Sequence, residues 1–334
     1  MVAEKEIFDI TIIGGGPVGL YALYYAGLRD TKAKLLEALD EVGGGLKVLY
    51  PEKYIYDVAG YPQILARDLV QQFEKQARAY KNPVQTGQRV LDLCRRDDGI
   101  IELETSDQLH LSRTVIICSG MGAFIPRKID VPNLEKYEDH GIYYYVKDSA
   151  IFRDKKVLIA GGGDSAIDNA LLLEKIAAKI SLIHRNDRFR AHEKSVEELK
   201  ASSIELYYPF WEVKEIIGED HLEAVRAVNT FTGEEMLFEI DALILNLGFL
   251  TNLKPLKKWG LELEMNAIKV DESMRTNIPG IFAAGDIVHH PGKLKLIATG
   301  AGEAAIAVNN AVHLLDPGQD VEPGHSSHIG PPQR

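Results

Sequence analysis

The sequence predicts an α/β protein built from two parallel-sheet domains, one inserted into the other, and three observations predict it. A short β-branched strand near the N-terminus runs into a glycine cluster and then a helix. The same succession returns after residue 156. A third strand, ending in Gly285-Asp286, lies beyond the second unit and returns to a helix.

Taken in order, Ile7 to Ile13 reads as a buried strand, the segment from Leu20 as helix, and Lys34 to Glu37 as the next strand, which together make one βαβ unit. Ile116 to Gly122 has the form of a buried strand closing in a flexible turn, and Leu243 to Gly248 repeats it. These two turns are the expected hinges. Between them, Val157 to Ile159, a glycine cluster, a helix from about Ser165 to Lys179 and a strand through Ser181 to His184 make the second βαβ unit. An apolar helix over about Ala298 to Leu315 closes the chain, followed by a tail, 316–334, rich in Pro, Gly, Ser and His, that is either disordered or laid over a surface.

Composition narrows the class. The 334 residues are 46% hydrophobic and 26% charged, which suits a chain with two ordinary cores. A net charge of −11 argues against wholesale nucleic-acid binding, which needs a basic face. The N-terminus has the pattern of neither signal peptide nor anchor, and no apolar run approaches the ~20 residues of a membrane span. The two cysteines, Cys94 and Cys118, match neither a disulfide framework nor a metal site, and both are expected in the core; a reducing cytoplasm is the expected location. His289-His290 lacks a third ligand for a metal.

Gly14-Gly15-Gly16-Pro17-Val18-Gly19 fits Gly-x-Gly-x-x-Gly between strand and helix. Gly14 makes the tight turn, Gly16 lets a pyrophosphate approach the backbone, and Gly19 lets helix and strand pack. Glu37 follows at the end of the next strand, where a carboxylate accepts from both ribose hydroxyls and repels a 2′-phosphate, so this site suits FAD or NAD. Gly161-Gly162-Gly163-Asp164-Ser165-Ala166 fits Gly-x-Gly-x-x-Ala through Gly161, Gly163 and Ala166. Here His184-Arg185-Asn186-Asp187-Arg188-Phe189-Arg190 stands where an NAD site has its acid. Guanidinium groups suit a 2′-phosphate, so Arg185 and Arg190 point to NADPH, with a merely solvated basic loop as the alternative. Asp286 either accepts from the ribityl chain of FAD or caps the later helix. With Asp286 so far along the chain from Glu37, the FAD domain is expected to be discontinuous: 1–122 plus 249–334, around an NADPH domain over 123–248.

These features, with the Gly43-Gly44-Gly45 turn, resemble the low-molecular-weight thioredoxin reductases over nearly the whole chain. One departure matters. Where those enzymes carry a redox-active Cys-x-x-Cys, this chain reads Tyr143-Tyr144-Tyr145-Val146-Lys147-Asp148-Ser149, and without a dithiol it cannot pass electrons by disulfide exchange. The sequence is therefore more similar to the thioredoxin-reductase-like branch of ferredoxin–NADP reductases. That resemblance implies a homodimer with FAD bound and NADPH as substrate, hydride transfer between the two, and single-electron exchange with ferredoxin or flavodoxin. It also implies that Tyr50 stacks on one face of the isoalloxazine and His325, from the C-terminal extension 316–334, on the other. Gly45, Val90, Phe124 and Ser327 are implied as further FAD contacts. No side-chain acid or base is required for the hydride step, and His325 or a rotation about Gly122 and Gly248 is expected to clear a flavin face for the nicotinamide. Arg153, Lys155 and Lys156, or Lys293 and Lys295, are either solvated or meet an acidic iron–sulfur protein. The competing readings are a reductase of quinone, free flavin, oxygen or an external dithiol protein, and a non-catalytic FAD/NADP redox sensor.

Overall fold

The computed structural model describes residues 6–120, 122, 125–250 and 253–325. Two compact units divide the chain: Met1–Phe124 with Thr251–Arg334, and Ile125–Leu250. Gly122 and Gly248, beside the points where the chain passes between units, both adopt positive φ (84° and 85°), a conformation glycine takes without a side-chain penalty.

The first unit is organised by a seven-stranded sheet in the order Val84–Gln85, Ala33–Leu36, Ile7–Ile13, Leu109–Ile117, Ile101–Thr105, Val90–Arg95, with Ile281–Ala283 also pairing with Leu109–Ile117. Strand Leu109–Ile117 has nine residues, enough for the antiparallel Ile101–Thr105 to take its first half and the parallel Ile281–Ala283 its second. Ala33–Leu36 is buried at every position, as a parallel strand covered on both faces must be. Helices Pro17–Leu28 and Ile297–Leu315 pack on this sheet around Ile10, Ile12, Leu20, Leu23, Ile116, Phe282, Ala304 and Val308. The order reverses at Ile7–Ile13, and the crevice at the C-terminal ends of strands beside such a reversal is where ligands bind in open α/β sheets.

The second unit holds a five-stranded parallel sheet, Ile142–Tyr143, Ala242–Asn246, Lys156–Gly161, Lys179–Ile183, Glu205–Tyr207, and a three-stranded antiparallel sheet, Trp211–Ile217, Ala224–Asn229, Glu235–Glu239. Its helix after the glycine loop ends sooner than its sequence periodicity suggests, at Asp164–Leu173. The Asp154 amide donates to the Ile176 carbonyl at 3.0 Å and the Ala178 amide to that of Lys155 at 2.9 Å, so the chain has already turned toward the next strand.

Two further expectations need correction, and one that was left open is decided for part of the chain. Cys94 is exposed rather than in the core, because it lies on Val90–Arg95 at the sheet edge; Cys118 is buried. Lys293 is not a docking group, since its side chain is 6% exposed and paired with Glu303. The tail is laid over a surface in its first part: Arg29 donates through Nη2 to the Asp320 carbonyl at 3.0 Å, and a ring nitrogen of His313, Nδ1, lies 2.8 Å from that of Gln319. Among the described residues no helix is long and apolar enough to cross a membrane, and no group of side chains is placed to hold a metal ion.

Candidate functional site

The first glycine loop is shaped by what each position must avoid. A β-carbon at Gly14 would lie 2.5 Å from the Cys118 carbonyl oxygen, and one at Gly19 would overlap the carbonyl oxygen of Gly14. At Gly16 a β-carbon would meet nothing within 4 Å. Gly16 also caps helix Pro17–Leu28 without a side chain, so helix-start amides face that open space, the arrangement that receives an anion.

Glu37 closes the loop from the next strand and is only 6% exposed. The Gly15 amide donates to its Oε2 at 2.5 Å and the Leu39 amide to Oε1 at 2.9 Å, leaving each oxygen a lone pair for a ribose hydroxyl. Burial pushes its carboxyl above the usual range, opposed by the backbone amides and by Arg89. The Gly87 and Gln88 amides donate to the carbonyls of Leu39 and Glu37, which sets Val90 two residues from this carboxylate's backbone.

The turn and helix of the third element reach the same place. The Gly43 amide donates to the Gly15 carbonyl at 2.8 Å, and a β-carbon at Gly44 would lie 3.1 Å from the Gly16 Cα, so the turn that carries Gly45 sits against the loop. Val18 fills the space beside Gly285 and Gly300, where β-carbons would stand 3.2 and 2.5 Å from its methyls. Asp286 is half-buried and does not cap the final helix, whose N-cap is Leu296. Tyr50 keeps 37% of its surface exposed; burial of the rest and the neighbouring Asp286 carboxylate push its phenol above the ordinary value. The structure thus brings Gly14, Gly16, Gly19, Glu37, Gly45, Tyr50 and Asp286 into one neighbourhood. His325 is the last described residue and is exposed, while Phe124 and Ser327 lie outside the described residues.

The second loop follows the same plan with the charge reversed. A β-carbon at Gly161 would come within 2.5 Å of the Asn246 carbonyl oxygen, one at Gly162 would overlap the His184 ring, and one at Gly163 would meet only the Arg190 carbonyl oxygen, at 3.8 Å. Ala166, fully buried, fills the position that had to be glycine in the first loop. The Arg190 amide donates to the Gly162 carbonyl at 2.7 Å, and the His192 amide to the Asp164 carboxylate at 2.9 Å, so the basic segment is tied to the loop at both points. Arg185 and Arg190 are exposed beside it, Arg185 with Glu212 at 4.0 Å.

Sequence reasoning missed His184. Its ring stacks on Phe189 at 5.2 Å, and Nε2 lies 3.1 Å from the Arg188 carbonyl oxygen, which gives the segment carrying the arginines a rigid backing. Burial first, then Arg185 and Arg190, holds its pKa down against the hydrogen bond to Arg188, so the ring favours its neutral form. Sequence reasoning also missed Glu303, although an acid inside the apolar run of helix Ile297–Leu315 was a visible signal.

Comparison with known proteins covers nearly the whole chain. Residues 8–310 match the family described as pyridine nucleotide-disulphide oxidoreductase. A ferredoxin–NADP reductase of Geobacillus kaustophilus is 46% identical over 98% of this chain and 98% of its own. Ferredoxin–NADP reductase 2 of Bacillus subtilis is 47% identical over 98% and 99%. Among solved structures, a thioredoxin reductase of Lactococcus lactis superimposes with a TM-score of 0.78 at 28% identity, covering 92% of this chain and 99% of that one. With two glycine-loop sites of opposite charge and a match spanning nearly its whole length, the chain belongs to the pyridine nucleotide-disulphide oxidoreductase family.

Proposed function

We propose that the chain is an FAD-dependent NADP oxidoreductase acting as a ferredoxin–NADP reductase, with ferredoxin or a flavodoxin as its single-electron partner. The observation that carries the reading is the contrast between the two loops: a buried carboxylate, Glu37, at the first and exposed guanidinium groups, Arg185 and Arg190, at the second. The first site fits FAD because its only open glycine position, Gly16, faces uncapped helix amides beside an acid with lone pairs to spare. On this reading Met1–Phe124 with Thr251–Arg334 is the FAD unit and Ile125–Leu250 the NADPH unit.

Bound FAD supplies the chemistry, accepting a hydride from NADPH and releasing electrons one at a time. The chain's residues bind and orient. Gly14, Gly16 and Gly19 shape the pyrophosphate cradle, Glu37 accepts from the adenosine ribose, and Asp286 accepts from the ribityl chain. Gly45, Val90, Phe124 and Ser327 complete the FAD contacts. Tyr50 covers one flavin face, its phenol pushed further above its ordinary value by burial and by Asp286. His325 covers the other, in a homodimer whose tails reach across; a monomeric mass by light scattering would remove that part. Gly161, Gly163 and Ala166 shape the second cradle, and Arg185 and Arg190 take the 2′-phosphate. The chain has two cysteines in all, one buried and one exposed at a sheet edge, which supports an acceptor that takes single electrons over an internal dithiol relay.

The test is anaerobic addition of NADPH to the purified yellow protein, followed by turnover with ferredoxin, flavodoxin, quinone, free flavin and an external dithiol protein. Bleaching of the flavin band and preferred turnover with ferredoxin are expected. A colourless protein that takes up no FAD overturns the reading.

A further inference from the structure

The turn carrying Asp286 is held by a buried charged cluster that takes no part in the FAD contacts proposed above. Glu303, from helix Ile297–Leu315, is 4% exposed. Its Oε2 accepts from the Gly285 amide at 2.8 Å, and both its oxygens accept from Lys293 Nζ at 2.7 Å. His290 Nε2 lies 3.0 Å from Oε1, and the other ring nitrogen, Nδ1, 3.0 Å from the Pro291 carbonyl oxygen. One carboxylate therefore fastens the Gly285 turn, the 290–293 segment and the last helix together.

A buried ion pair is a poor device for stability. Desolvation of both ions offsets their attraction, and apolar residues of similar volume generally serve the fold as well or better. What such a cluster does supply is direction. Gly285 has a φ of 86° and packs on Val18, so no side chain of its own can hold the turn; Glu303 receives the Gly285 amide, in the Ala284–Gly285 peptide, and the Gly285 carbonyl on the far side of that residue accepts from the Val288 amide at 3.1 Å. With the peptide on each side of Gly285 held, the backbone from which the Asp286 carboxylate departs is fixed.

We propose that Glu303 is a positioning residue for FAD: it acts through the Gly285 amide to orient Asp286, with Lys293 as the counter-ion that allows a carboxylate to sit there. The inference rests on the proposed FAD site. Its test compares apo-proteins by fluorescence titration with FAD and by thermal unfolding. Glu303→Leu combined with Lys293→Met removes the ion pair and the acceptor together and leaves no unpaired charge; Glu303→Gln with Lys293→Met removes the charges and keeps an acceptor for the amide. The Leu/Met protein is expected to stay folded, the unsatisfied Gly285 amide offsetting what removal of the ion pair gains, and to bind FAD at least about tenfold more weakly, while the Gln/Met protein recovers to within about threefold of the parent. In an Asp286→Asn background the Leu/Met pair should cost less than about threefold more, because both changes act on one contact.

Parent-level affinity in the Leu/Met protein, or failure of Gln/Met to recover when it folds as stably as the parent, overturns the proposal. So does a full, additive loss on top of Asp286→Asn. Should the Leu/Met protein not fold, Gln/Met decides: affinity near the parent's supports the proposal, and a tenfold loss refutes it. If the parent itself takes up no FAD, it is the functional reading that fails.

Discussion

Replacing Gly16 by Ala separates the fold from the ligand more cleanly than any other change in the first loop. Gly16 has φ −70° and ψ 179°, which alanine adopts freely, and its β-carbon would touch no atom of the protein. The expected loss of stability in the apo-protein is that of an alanine N-cap, about 1 kcal/mol. Bound FAD meets a different surface, because the added methyl occupies the space into which the helix-start amides face. Displacing a pyrophosphate by a methyl's width removes about two charge-assisted hydrogen bonds at roughly 1.5–3 kcal/mol each, or some 10²- to 10⁴-fold in affinity. Gly19→Ala is the control with the opposite signature. Its β-carbon overlaps the Gly14 carbonyl oxygen and comes within 3.0 Å of the carbonyl carbon, so strand and helix must separate and the fold itself suffers by several kcal/mol, at roughly the upper end of single substitutions. The assay is FAD titration and thermal unfolding of both apo-proteins. A Gly16→Ala protein that binds FAD as tightly as the parent refutes the cradle, and equal damage to stability from both substitutions refutes the steric argument.

Replacing Arg185 and Arg190 together by Ala should raise KM for NADPH by about 30- to 150-fold and leave KM for NADH nearly unchanged, since each exposed guanidinium contributes about 1–1.5 kcal/mol to a phosphate contact; parallel losses for both nucleotides would count against a 2′-phosphate site. His325→Ala should change the rate of flavin reduction in stopped-flow mixing with NADPH, and an unchanged rate removes His325 from the flavin face. Lys34, 2% exposed with Nζ 2.9 Å from His110 Nδ1 and 4.3 Å from the centre of the Phe8 ring, is pushed down to about 8, mainly by burial. Between that value and its ordinary one the unfolded chain holds a proton that the folded chain does not, so stability should rise with pH through this window; below it the charged form costs up to about 3 kcal/mol. Lys34→Met should flatten that rise and stabilise the protein at neutral pH, as denaturant midpoints across the alkaline range would show; a slope that persists refutes the assignment.

The two glycine loops were legible because their chemistry is local. Strand, turn glycines and helix start are contiguous, and the acid or the arginines sit at the end of the very next strand. The antiparallel pieces were not. In Trp211–Ile217 the alternation of apolar and charged residues breaks at Lys214-Glu215, where the register against Ala224–Asn229 shifts, so the period of two that marks a strand is interrupted. The helix after Gly163 was drawn too long because Glu174 to Lys179 has helical composition, which the return to Lys155 and the parallel register overrule. Cys94 misled for a related reason: its strand pairs on one side only, and the sign of an edge lay in the neighbouring Asp92 and Arg95 rather than in the cysteine itself. Lys293 read as a surface charge because its partner, Glu303, sits in an apolar helix, and only the turn at Gly285 explains why either is buried.

The long strand Leu109–Ile117 gives the chain an unusual order of assembly. Val115 to Ile117 wait for Ile281 to Ala283, and the Val115–Ile281 pair joins residues 166 positions apart. Every residue of Ile125–Leu250 leaves the ribosome before that partner does. The inserted unit is thus the first body that can close around its own core, while the N-terminal segment stays open with half of one strand edge bare and apolar, a surface that invites wrong pairing. A nascent chain stalled short of Ile281 should expose that edge to chaperones, and one stalled after Leu315, with the closing helix free of the tunnel, should hide it.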